Sequence, residues 1–136
     1  MTKNDQSYSV SIILPILNEI NSLKKTIKIL NKINVQKEYL IIYSERLTNN
    51  SVKKEIINLK KRNKNIFYKS QLRPFVGGAI DLGIKLAKKN YIVIMASDLE
   101  TNPNELKNMI KVSKKNPKCI ISVSYTHLTL PTSPKV

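Results

Sequence analysis

The sequence predicts an α/β domain with a mostly parallel β-sheet and helices on both faces. Short apolar runs, typical of strands buried on both faces, alternate four times with segments whose apolar residues recur at helical spacing. That alternation is typical of parallel strands joined by helices. The length of 136 residues suits one domain, and an apolar content of 41% indicates a globular rather than a disordered chain.

Five apolar runs predict the strands. They are rich in Ile, Val, Leu and Tyr, and polar or turn-forming residues bound them. Pro15 ends the first run, because proline has no N–H to donate to a sheet. In order, the predicted strands span residues 8–14, 39–43, 66–68, 91–96 and 119–123.

Apolar residues at helical spacing separate these runs. Leu23, Ile27 and Leu30 predict the first helix, which follows Asn18 and Glu19. The other predicted helices are one capped by Asn50 or Ser51, one opened by Gly77 and Gly78, and one over residues 104–113.

The residues that stand out chemically all follow the ends of predicted strands. In parallel α/β sheets, ligands bind outside the carboxyl ends of the strands. We therefore expect a binding site at this edge of the sheet, built from residues 15–19, 44–48, 69–78 and 96–102.

Two carboxylates follow the fourth run. Asp98 and Glu100 are two residues apart, and alternate residues just past a strand can point the same way, so the pair can hold one divalent cation. Oxygen ligands without sulfur or imidazole favour Mg²⁺ or Mn²⁺. A turn capped by Asp98 beside a solvated Glu100 explains the spacing equally well.

Paired glycines precede the third helix. Gly77 and Gly78 let the backbone approach a phosphate at the helix N-terminus, and Arg73 adds a charged fork. A plain loop-to-helix turn is the alternative, since neither GxxxxGK[ST] nor GxGxxG is present. At the first strand end, Pro15 to Glu19 have the simpler interpretation of a capped helix start.

Taken in order, these stretches resemble the nucleotide-sugar-binding half of family 2 glycosyltransferases, which have a Rossmann-like GT-A fold. The most similar branch includes dolichol- or polyprenyl-phosphate sugar synthases. The stretch VSIILPILNE, residues 10–19, resembles the family's Pro-x-aromatic-Asn-Glu motif, and residues 77–88 resemble its glycine-bearing helix. Asp98 matches the second Asp of the Asp-x-Asp metal motif, and Glu100 falls on the further ligand.

The resemblance implies transfer of a sugar from a nucleoside-diphosphate sugar to an acceptor, either a polyprenyl phosphate or another glycan or lipid. Mg²⁺ or Mn²⁺ on Asp98 and Glu100 would neutralise the diphosphate leaving group. The catalytic base usually comes later in the family chain. The implied nucleotide-sugar-binding residues are Pro15, Leu17, Glu19, Glu45, Arg73, Gly77, Gly78 and Asp98.

Three positions depart from the family pattern. Leu17 stands where the family has an aromatic residue. After the second strand, Ser44 and Glu45 stand where the family has an Asp pair, so only Glu45 keeps an acid. Ala96 occupies the first Asp position of the metal motif, which leaves Asp98 and Glu100 as the ligands.

The net charge of +15 suggests other classes of function that must be weighed. One is a basic module that binds nucleic acid or an anionic membrane surface. The chain has 21 Lys but only three Arg, and they are spread along its length, so we expect no nucleic acid as partner. Another class is nucleotidyl transfer on a related sheet, but LPILNE is not the glycine-rich, Arg-containing loop with which such enzymes usually open.

The last residues differ in composition from the rest. Residues 122–136 contain no Ile or Asn, but three Thr and the only His, and residues 123–132 resemble translated transposon mosaic-end adapter sequence. We therefore predict a partial domain over residues 1–121 and a non-native tail over 122–136, and we exclude His127 as a base. On this interpretation the chain is a truncated and inactive fragment.

Two observations bear on location. Cys119 is the only cysteine, so no disulfide framework exists and a reducing compartment is expected. The N-terminal residues are polar and lack a signal-peptide core. We expect a cytoplasmic protein that associates peripherally with the inner face of the membrane.

Overall fold

The computed structural model describes residues 9–71, 76–95, 106–115 and 120–122. Within them, strands and helices alternate as predicted. In chain order the elements are β1 (Ser9–Ile16), α1 (Ile20–Leu30), β2 (Gln36–Ser44), α2 (Asn50–Arg62), β3 (Ile66–Gln71), α3 (Val76–Leu86), β4 (Tyr91–Ile94), α4 (Leu106–Lys115) and β5 (Ile120–Ser122).

The sheet has the strand order β3-β2-β1-β4-β5, and every neighbouring pair is parallel. The chain steps outward from β1 to β3 and then crosses to the other side of β1 to form β4. This reversal places the topological switch point of the sheet between β1 and β4, and open α/β sheets bind ligands outside the carboxyl ends of the strands at such a point.

Helices cover both faces of the sheet, as the sequence predicts. Successive strand residues point to opposite faces, so Ile12 and Leu14 of β1 pack with α1 and α2, whereas Ile13 packs beneath α3. Leu106 of α4 joins the core on the first face. Among the described residues, no helix is long and apolar enough to cross a membrane.

Pro15 is the penultimate residue of β1, whereas the sequence predicted that it ends the preceding run and lies outside the strand. The carbonyl of Ile13 accepts a hydrogen bond from Met95 N at 3.0 Å, so Ile13 turns its main-chain groups toward β4. Pro15, two residues on, faces the same side. The missing N–H of Pro15 therefore lies on the side away from β2, so β1 keeps its pairing with β2 through Ile16.

The structure also moves several other predicted boundaries. β3 extends to Gln71 because Ser44 of β2 pairs with it, although the polar residues after Tyr68 concealed the strand in the sequence. α2 begins at Asn50 with Asn49 at its N-cap, and the Asn49 side chain makes no capping hydrogen bond. α4 continues to Lys115, two residues beyond the predicted end, and the first two residues of the predicted helix lie outside the described residues.

A buried carboxylate fixes the amino end of the sheet. Glu38 is only 3% exposed, and its Oε2 accepts hydrogen bonds from Ser11 Oγ at 2.5 Å and from Lys88 N at 2.8 Å. Lys89 N donates to Ser11 Oγ at 3.1 Å. A buried carboxylate is tolerated when hydrogen bonds compensate its desolvation, and this network holds the α3–β4 connection against β1 and β2.

Close contact between α3 and β1 depends on Gly83. A Cβ at Gly83 would lie 2.6 Å from Ile13 Cγ2, which is far inside van der Waals contact. The absence of a side chain there lets the helix lie directly on the centre of the sheet.

Gly83→Ala is expected to lower the free energy of unfolding by about 1–2 kcal/mol, because overpacking against Ile13 outweighs the roughly 1 kcal/mol gain in helix propensity. Urea unfolding measures the change. Gly77→Ala is the matched control, because a Cβ at Gly77 meets no atom within 4 Å. A Gly83→Ala protein as stable as the parent would contradict the packing argument.

Candidate functional site

The loop after β1 is shaped by the carboxylate of Glu19. Its Oε1 accepts hydrogen bonds from the N–H groups of Leu17 and Asn18, both at 2.8 Å. Glu19 stands at the N-cap of α1 but makes no side-chain capping bond, so its role differs from a simple helix start. Its Oε2 forms no hydrogen bond within the described residues, so one carboxylate oxygen remains open at the sheet edge.

Asn18 joins the loops that follow β1 and β2. Its Oδ1 accepts a hydrogen bond from Asn49 N at 2.7 Å, and its Nδ2 donates to the Leu47 carbonyl at 3.3 Å. One side chain therefore bonds to the main chain of the neighbouring loop at two points.

The loop after β2 is also tied internally. Ser44 N donates to Thr48 Oγ1, Leu47 N donates to Ser44 Oγ, and Thr48 N donates to the Ser44 carbonyl, each at 3.0 Å. Ser44 and Thr48 are buried, whereas the side chains between them are exposed. The turn thus presents Glu45, Arg46 and Leu47 on a fixed backbone.

Glu45 is paired with a lysine from α2. Lys53 Nζ donates to the Glu45 carbonyl at 2.8 Å and lies 3.3 Å from Glu45 Oε2. The same ammonium lies 5.9 Å from the centre of the Tyr43 ring. Because the Glu45 side chain is 62% exposed, the ion pair is weak and the carboxylate is free to exchange partners.

A cavity of about 460 Å³ lies between the end of β3 and the first turns of α3. Gly78 forms part of its wall, and the space around Gly77 is open. The N-terminal N–H groups of α3 therefore lie beside an accessible space, which suits an anion. The described residues that line the cavity are Lys69, Ser70, Gln71, Gly78, Asp81, Leu82 and Lys85.

The structure brings the predicted site residues of β1 and β2 to one edge. Pro15, Leu17 and Glu19 lie at the end of β1, and Asn18 holds the loop of Glu45 beside them. Gly77 and Gly78 occupy the first turn of α3. Arg73, Asp98 and Glu100 lie outside the described residues.

The predicted metal ligands follow β4 in the sequence, and β4 is one of the two strands that flank the switch point. Met95 N is hydrogen-bonded to the Ile13 carbonyl, and Asp98 and Glu100 follow three and five residues later in the sequence. The part of the chain that the structure describes contains no cluster of three residues able to hold a metal ion.

A family model now identifies this arrangement. The model of glycosyl transferase family 2 matches residues 11–132. The chain belongs to glycosyltransferase family 2. Membership implies a nucleotide-sugar donor and an acceptor, and it agrees with the predicted GT-A-type α/β fold. Among curated proteins, no sequence matches this chain.

Sequence reasoning missed two residues that shape this glycosyltransferase site. Asn18 was interpreted as a helix-entry residue and as part of the resembled motif, but its bridge to Leu47 and Asn49 was not foreseen, because it joins positions far apart in the chain. Lys53 was not singled out, since one lysine among 21 carries no signal. The pairing of β1 with β2 could have suggested that the loops after these strands are adjacent.

Asn18→Ala is expected to lower the free energy of unfolding by about 1 kcal/mol, since two exposed hydrogen bonds are lost. The amide of Asn49 should also exchange with solvent faster, because its acceptor is removed. Urea unfolding and hydrogen exchange measure these effects. Asn21→Ala on the exposed surface of α1 is the control, and equal exchange at Asn49 in both variants would show that the bridge does not form.

Proposed function

We propose that the protein transfers a sugar from a nucleoside-diphosphate sugar to a polyprenyl phosphate or another lipid or glycan. In this proposal Mg²⁺ or Mn²⁺ assists, and the protein works in the cytoplasm at the inner face of the membrane. The observation that carries the proposal is the family match on a sheet whose switch point lies between β1 and β4, with residues 15–19 at the end of β1 and Asp98 and Glu100 following β4 in the sequence.

Asp98 and Glu100 are the proposed metal ligands. Two carboxylates match the hard oxygen ligands that Mg²⁺ and Mn²⁺ take, and both residues follow the strand that ends beside Ile13. A bound metal would neutralise charge that develops on the diphosphate leaving group. Enzymes of this family commonly use divalent metals, which supports the assignment.

The loops after β1 and β2 form the proposed nucleoside pocket. The open Oε2 of Glu19 and the exposed carboxylate of Glu45 can accept hydrogen bonds from ribose hydroxyls or a base. Leu17 is exposed beside them and can contact the base through van der Waals packing, without the stacking that an aromatic ring supplies. Pro15 forms the floor at the end of β1.

The start of α3 is the proposed phosphate side of the pocket. Gly77 and Gly78 leave room for an anion beside the helix N-terminus, and Arg73 precedes that helix in the sequence. A polyprenyl phosphate acceptor would already carry a negative charge on the attacking oxygen. Such an acceptor needs less help from a general base than a sugar hydroxyl does.

Asp98→Ala is expected to weaken Mn²⁺-dependent nucleoside-diphosphate binding by about tenfold or more, since one of two carboxylate ligands is lost. Calorimetry with UDP and with GDP, each with and without Mn²⁺, measures the effect. The parent protein should bind one of the two nucleotides better, and only in the presence of metal.

Glu55→Gln is the matched control for this experiment. It removes one carboxylate from α2 that is not among the predicted site residues. Glu55 Oε1 lies 2.6 Å from Lys24 Nζ of α1. Binding that is unaffected by Asp98→Ala, or equally reduced by Glu55→Gln, would refute the metal assignment. Tight binding of any polyanion without metal would refute the nucleotide-sugar proposal itself.

A further inference from the structure

The outward flank of α2 and the edge strand β3 together carry apolar side chains amid lysines. In this subsection the outer flank means Ile57, Lys60, Lys61, Lys64, Phe67 and Tyr68. Ile57 is 40% exposed, Phe67 41% and Tyr68 38%, so half of the described large apolar residues with such exposure lie on this flank.

Ion pairing defines which side of α2 faces outward. Glu55 forms its ion pair with Lys24 of α1, so that side of α2 faces its neighbouring helix. Ile57, Lys60 and Lys61 lie on the opposite side by helical spacing. Lys60 confirms the placement, since its ammonium lies 4.3 Å from the centre of the Phe67 ring on β3.

The positive charge of the outer flank is not neutralised. Within the described residues, the salt bridges join Lys24 to Glu55, Lys53 to Glu45 and Lys85 to Asp81. Lys60, Lys61 and Lys64 form none, and Lys60 instead donates to the Lys64 carbonyl at 3.3 Å. The outer flank thus combines three cations without a salt bridge among the described residues with three exposed apolar side chains, and Lys60 contacts one of them, Phe67.

We propose that the outer flank docks on an anionic phospholipid bilayer. Lysine ammonium groups attract lipid phosphates, while their stems and the apolar side chains enter the headgroup region. A second copy of the chain is disfavoured, because it would bring identical lysines together. Single-stranded nucleic acid fits less well, since the Lys60 ammonium already covers one face of Phe67, on which a base would stack.

This docking also gives the proposed membrane association a geometry. With β3 against the bilayer, the strands run along the membrane surface and the carboxyl edge opens sideways near the headgroups. In this orientation β1 lies two strand spacings, about 10 Å, above β3, so an acceptor phosphate would rise about that far from the headgroups to reach the switch point. The inference builds on the proposed function, but vesicle binding and nucleotide binding are measured separately, so either can fail alone.

Flotation with two kinds of vesicle tests the docking. One kind is pure phosphatidylcholine, and in the other about one third of the lipid is phosphatidylglycerol. We expect binding to the anionic vesicles that falls as salt is raised. The triple variant Lys60→Gln, Lys61→Gln, Lys64→Gln should bind about a hundredfold less, at about fivefold per lysine. The control triple Lys25→Gln, Lys28→Gln, Lys32→Gln removes the same charge from α1 and the turn that follows it. Its vesicle binding should fall by less than about tenfold.

Ile57→Ser against Ile84→Ser tests the apolar contribution, since both side chains are exposed and only Ile57 lies on the outer flank. Ile57→Ser should weaken vesicle binding severalfold, and Ile84→Ser should not. Equal loss in the two lysine triples, or equal behaviour of the two serine variants, would overturn the proposal. Duplex or single-stranded DNA that displaces the protein from vesicles at equal phosphate concentration would overturn it as well.

Discussion

Ile13 is the residue on which the geometry of the site depends. Its side chain contacts the position of Gly83 in α3, its carbonyl accepts the hydrogen bond of Met95, and its strand pairs with β2. The helix α3, the strand β4 that leads to Asp98, and the strands that carry the loops after β1 and β2 are therefore all positioned against one buried residue. Their relative placement follows from core packing, which resists small displacements.

The hydrogen bonds at the amino end of the sheet are buried, whereas those at its carboxyl end are exposed and join loops. At the amino end, the buried Glu38 satisfies the main chain of the α3–β4 connection, and a loss there would leave polar groups unpaired in the core. At the carboxyl end, the bonds of Glu19 and Asn18 are exposed and involve loops. The stable end of the sheet thus supports an edge whose side chains remain free to meet a ligand.

The sequence predicted the alternation of strands and helices because buried parallel strands are apolar runs that periodicity detects. It could not place Pro15 inside β1, since that depends on the pairing of residues 15 and 16 with β2, which is far away in the chain. The predicted site residues Leu17, Glu19 and Glu45 do lie at one edge, because topology alone brings strand ends together. The Asn18 bridge and the Lys53 ion pair depend on side-chain directions that no local pattern encodes.

The bridge from Asn18 has a consequence for how this family member can change. It bonds to the main-chain groups of Leu47 and Asn49 and to none of the side chains in that turn. Residues 45–47 can therefore be replaced without moving the backbone that carries them. The exposed side chains of this turn can therefore diverge while the scaffold stays constant, and the buried Ser44, whose hydroxyl accepts from Leu47 N, belongs to the scaffold rather than to the variable part.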